Sequence, residues 1–182
     1  MTTIIIIAFV IVTALWIVSV QRKLVGREEL CKNAMSQIGV QQSSRWDALT
    51  ALAELVKSYN EHEYNTILEV IAKRSPVTGA SKAGEADVQE AYISSALKSI
   101  SIVAEQYPQL KANENYGKAM DSVNTYENQV RMSRMVYNDS VTKFNNTVRQ
   151  FPDSLVAGIL GFPVKDYLQE NTAKAEMPSM KI

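Results

Sequence analysis

Between Ile4 and Val20 the chain carries seventeen consecutive residues without a charge, interrupted only by the hydroxyls of Thr13 and Ser19. As a helix such a run reaches roughly 26 Å, a little short of a hydrocarbon core of about 30 Å. Thr2 and Thr3 on one side, and Arg22 and Lys23 snorkelling on the other, close the deficit, with Trp16 near one interface. A cleaved signal peptide fits less well, because no Lys or Arg precedes the run and no A-x-A site follows it. Nor does Glu28-Glu29-Leu30-Cys31 resemble a lipoprotein processing site. We therefore expect a retained transmembrane anchor over residues 1–26, with basic residues at the membrane surface.

The cations set an orientation. Arg22, Lys23 and Arg27 all follow the span, and no acidic residue occurs before Glu28. The positive-inside rule then places the N-terminus outside and the remaining chain in the cytoplasm. Trp16, Arg22, Lys23 and Arg27 are the expected interface residues. Over the whole chain 19 basic side chains balance 19 acidic ones, which argues against a general nucleic-acid binder. One cysteine, Cys31, excludes an intramolecular disulfide, and one histidine, His62, excludes the usual Cys/His zinc sites.

Glycine and proline are sparse until residue 151, and long stretches without them favour helices. Met35, Ile38, Gln42, Arg45, Leu49, Leu52, Val56, Tyr59, Glu63, Ile67 and Val70 recur in steps of three and four with one slip. A second stretch places Ile93, Leu97, Ile100, Ala104 and Tyr107 on one face and ends at Pro108. The third begins near Lys111 and steps from Tyr116 to Val148 without a slip. The first and third stripes run about 50 Å each, so they can pair along most of their length. The fold expected is all-α: a transmembrane helix followed by a long antiparallel three- to four-helix bundle over residues 27–168, with Gly39 as the hinge if the rod bends. Narrow apolar stripes on a bundle this small favour a homo-oligomer.

The segment Asp153 to Pro163 is strongly apolar, but its two glycines and closing proline argue against a long helix. Leu155, Val156, Ile159, Leu160 and Phe162 form a candidate contact segment with three open destinations: the bundle itself, a neighbouring subunit, or lipid. The tail, residues 169–182, has no periodic pattern and is expected to be loosely held.

Several segments carry a family resemblance when taken in order. They are Gln37-Ile38-Gly39-Val40-Gln41, Glu54-Leu55-Val56-Lys57-Ser58-Tyr59-Asn60, Tyr107-Pro108-Gln109-Leu110-Lys111-Ala112-Asn113, Tyr126-Glu127-Asn128-Gln129-Val130, Tyr137-Asn138, Phe144-Asn145, Phe151-Pro152 and Leu155-Val156-Ala157-Gly158. Spread over residues 27–168, the series resembles the LemA family of bacterial membrane proteins. The resemblance implies an N-terminal anchor in the inner membrane and an all-helical domain whose molecular activity is poorly defined. It also implies company: some relatives lie beside zinc-dependent membrane proteases in their genomes, and a distant one belongs to a magnetosome membrane. The chain departs from the family pattern at Met35, at Ser43-Ser44-Arg45 and at Thr50, where relatives often carry Trp, a basic run and Pro. Without that proline a straighter rod is expected.

Arg45, Glu63, Glu127 and Arg134 interrupt the stripes, and a charge buried alone is costly. We read them as a structural polar core that pairs across antiparallel helices and fixes register, in preference to a ligand pocket. A carboxylate-bridged metal centre would need inward Glu residues and Glu-x-x-His elements, which the chain does not have. Asn138, Asn145 and Asn146 are expected to hydrogen-bond across helices, and Cys31 to be a bystander thiol. No Gly-rich phosphate loop or Ser/His/Asp set is present. No cofactor and no catalysis are expected. Two roles follow: a membrane-anchored scaffold that assembles with itself on lipid and organises or curves the membrane, or an adaptor or sensor for a membrane protease or receptor.

Overall fold

The computed structural model describes residues 1–169, and these are all-helical, with no strand among them. One helix dominates. α1 (Thr2–Lys57) runs for 56 residues, roughly 84 Å, and contains both the apolar run and the first half of the bundle without a break. It passes Thr50 uninterrupted, with the Thr50 hydroxyl donating to the Trp46 carbonyl at 3.0 Å. The helix is unbroken at the position where relatives often carry the proline.

Gly39 is not a hinge. It lies inside α1, where a Cβ would come within 2.8 Å of the Val77 carbonyl carbon and closer still to its oxygen. The glycine is needed so that the loop after α2 can lay its backbone on the helix.

α2 (Glu61–Ile71) is a separate helix, so the first apolar stripe belongs to two elements. α1 ends at Ser58, and Asn60 caps α2 by accepting from the Glu63 amide at 3.0 Å. α3 (Ala83–Gln106) stops at Tyr107, and Pro108 opens the single turn α4 (Pro108–Lys111). Asn113 then caps α5 (Glu114–Arg149). Among α1, α2, α3 and α5 the chain runs up, down, up and down, and α1 against α5 is the most extensive pairing.

Two apolar cores result. The distal one joins Trp46, Leu49, Leu52 and Val56 of α1 to Ile67, Ile93, Ile100 and Val123. The proximal one joins Val20, Leu24, Met35 and Ile38 to Ala86, Tyr137, Val141 and Phe144. The short helix α6 (Asp153–Leu160) completes the proximal core with Val156 and Ala157. Gly161 closes it in the left-handed region at φ 72°.

Candidate functional site

The polar stripe residues divide when placed in space. Arg45 is 1% exposed, and it meets carboxylates from two other helices. Its Nη1 donates to both carboxylate oxygens of Glu90 at 2.7 and 2.8 Å, and its Nη2 donates to Glu127 at 3.4 Å. Arg131, one turn from Glu127, adds a weaker contact at 3.8 Å. One guanidinium therefore ties α1 to α3 and α5 between the two apolar cores. Sliding α5 by a heptad would take Glu127 away and leave Arg45 with Glu90 alone, a cost that favours this register.

Arg134 pairs with Asp87 of α3 at 2.5 Å and reaches the Gln169 carbonyl at the same distance. Glu63 joins neither cluster. It sits half-buried in the first turn of α2, where a carboxylate suits the positive end of the helix. Glu90 and Asp87 are the partners that the stripe pattern missed, because α3 showed only its apolar face in the sequence.

Gln42, one turn before Trp46, donates to the Ala86 carbonyl at 3.1 Å. Gln89 accepts from the Ser75 amide and donates to the Lys73 carbonyl, which pins the loop after α2. That loop and α1 enclose a groove of about 540 Å³ lined by Gly39, Gln42, Trp46 and Arg74. Arg74 is held there by Asp47 and Ser43, each at 2.7 Å. The described residues contain no group of three or more His, Cys, Asp or Glu placed to hold a metal.

The asparagines do bond across elements, but not to a helix. Asn145 donates to the Lys165 carbonyl at 2.9 Å and accepts from the Lys165 amide at 2.8 Å. Asn138 does the same with Leu168, at 3.1 and 2.9 Å. Seven residues along α5 rise roughly 10.5 Å, and three residues of extended chain advance roughly 10 Å. The two side chains thus grip the segment after Gly161 at matching intervals. Phe162 packs edge-on against Phe144, and Lys165 pairs with Glu28 at 3.0 Å. Asn146 is exposed.

At the end of the bundle next to the apolar run, Arg22 and Lys23 are exposed, and Lys23 pairs with Asp153 at 2.8 Å. Trp16 is half-buried against the proximal core. Arg27 is turned onto α5, where it donates to the Lys143 carbonyl at 2.5 Å and to the Thr147 hydroxyl. The contact segment folds back on the bundle through Val156, Ala157 and Phe162, while Leu155, Ile159 and Leu160 face outward. Cys31 is buried, and burial raises its thiol above the usual range. Burial also pushes the Tyr137 phenol up to about 12. Of the expected tail, Gln169 is described and residues 170–182 lie outside the described residues.

α1 has the length and apolarity to cross a membrane near its start. A sequence profile described as LemA family matches residues 34–182. Two proteins of Paramagnetospirillum magneticum (strain ATCC 700264 / AMB-1), magnetosome protein MamQ 2 and magnetosome protein MamQ 1, are each 31% identical to the chain over 78 residues. The match covers 43% of this chain and 29% of each relative, so the chain spans under a third of their length.

Proposed function

Since the chain belongs to the LemA family, we propose that it is a membrane-anchored helical scaffold that assembles with itself on the bacterial inner membrane and organises or curves it. The observation that carries this reading is the continuity of α1. The same 56-residue helix supplies the apolar run and a wall of both cores, so the bundle is joined rigidly to whatever holds its first twenty residues. The basic residues after the run orient the bundle to the cytoplasm. α5 adds a lateral surface, with Met132, Met135 and Val136 more than half exposed on adjoining turns. Methionine-rich faces adapt to a partner surface, and a second copy beside the same bilayer is the nearest one. The likeness to proteins named for the magnetosome supports a role in membrane organisation.

Nothing in this role requires a reaction: α1, α3 and α5 spend their buried charges on one another. Cross-linking in native membranes tests the proposal. Ladders of the chain with itself, weakened by Met135→Glu, are expected, and a strictly monomeric species would refute self-assembly. The exposed methionine face also suits the second reading, an adaptor for a membrane protease or receptor. Affinity capture separates the two, because an adaptor recovers one other protein in constant ratio whereas a scaffold recovers mainly itself.

A further inference from the structure

We infer that α6 is a second membrane-contacting element, an interfacial helix that sinks its outer face into the leaflet on the bundle side. The inference rests on the reading that residues 4–20 lie in a bilayer. α6 hangs on α1 where the apolar run ends. Its first residue, Asp153, pairs with Lys23 at 2.8 Å, and Val156 and Ala157 share the proximal core with Val20 and Leu24, against which Trp16 packs. Trp16 and Lys23 are seven residues apart, roughly 10 Å along the helix. Interfacial helices sink about 5–10 Å below the headgroup boundary, so a helix fixed between these residues sits in that layer.

The face that α6 turns away from the bundle is unsuited to water. Ile159 is 84% exposed and Leu155, one turn before it, 57%, while Phe151, just ahead of the helix, is 77% exposed. Asp153 is the one charged residue of the helix, and it is engaged with Lys23. Arg22, next to Lys23, and Arg149, four residues before Asp153, are exposed cations that anionic headgroups would meet at this level. Lipid is the occupant that the anchor already brings to this level, whereas a second copy would have to displace it. Because α6 enters one leaflet only, it adds cross-section to that leaflet, a physical means of bending the sheet.

The test uses the full chain in vesicles of phosphatidylcholine and phosphatidylglycerol, with nitroxide labels on Phe9→Cys, Leu155→Cys, Ile159→Cys and, as an aqueous reference on the bundle, Val88→Cys. Cys31 stays in place because its burial shields it from the reagent. Collision rates with oxygen, which partitions into lipid, are compared with those of a water-soluble nickel chelate. The expected result is an oxygen-to-nickel ratio at 155 and 159 several-fold above that at 88 and approaching that at 9. Ratios at 155 and 159 equal to that at 88, with the label at 9 in lipid, would overturn the inference and leave the anchor standing. Dipolar broadening at 159 that disappears on dilution with unlabelled chain would assign the face to a second copy and overturn it too. A nickel-accessible label at 9 would remove the anchor reading itself, and this inference with it.

Discussion

Replacing Asn145 by leucine keeps the branched shape of the side chain and removes both bonds to the Lys165 peptide. A hydrogen bond contributes about 1 kcal/mol net, and stranding a buried peptide group adds to that, so the local cost is about 3 kcal/mol at Asn145, which is 2% exposed. Asn138 is half-buried and its loss should cost about 2 kcal/mol. At 1.4 kcal/mol per factor of ten, the segment after Gly161 would open roughly 150-fold more often in Asn145→Leu and roughly 30-fold more often in Asn138→Ala. Native-state amide hydrogen exchange reads this directly, at the Lys165 amide in the first variant and at the Leu168 amide in the second. The distal core should keep its protection, because neither asparagine touches it. Unchanged exchange at Lys165 would refute the grip, and so would an equal acceleration of the amides around Leu49, which would mean that the substitution had weakened the whole bundle instead of one contact.

Two further predictions follow from the buried polar groups. Arg45→Met leaves Glu90 and Glu127 facing each other without their shared cation and should cost about 3–5 kcal/mol in denaturant unfolding. Adding Glu90→Leu and Glu127→Leu should recover most of that loss, and a triple variant no more stable than Arg45→Met would count against the pairing. The Tyr137 phenol, pushed up to about 12 from an ordinary value of 10.0, favours the folded state while it is protonated. That contribution is complete below pH 10 and is lost as the pH rises to 12, so stability should fall by about 2–3 kcal/mol across the window. Tyr137→Phe should remove that part of the slope and leave the residual decline from Cys31, Tyr64, Tyr116 and Lys32, which are all raised in the same sense.

The sequence announced the helices through their steps of three and four, and every stripe position of the third stretch lies in α5. It was less clear about where the first stripe divides. The slip in that stripe falls beside the break at residues 58–60, and Asn60 with Glu63 three residues later is a helix-start signal that periodicity alone overrides. Gly39 misled for a related reason. A glycine within a helical pattern suggests bending, yet here it admits the Val77 backbone, a contact from 38 residues away that no local window contains. Arg45 and Glu127 stood out because they interrupt an apolar face, whereas Glu90 and Asp87 lie beside one and look like ordinary solvated charges. The asparagine grip was half legible: the unusual residues were evident, but their partner is extended chain with no period to reveal it.

The unbroken α1 also behaves as a lever. Helices in bilayers tilt by about 20° on average, in response to the mismatch between their apolar length and the local thickness. From Lys23 to Lys57 the helix extends roughly 51 Å. A 20° tilt about its lower end would swing the far end sideways by roughly 17 Å. A thinner or thicker patch of lipid would thus be registered as a displacement several times larger at the distal tip, where neighbouring rods would meet or part.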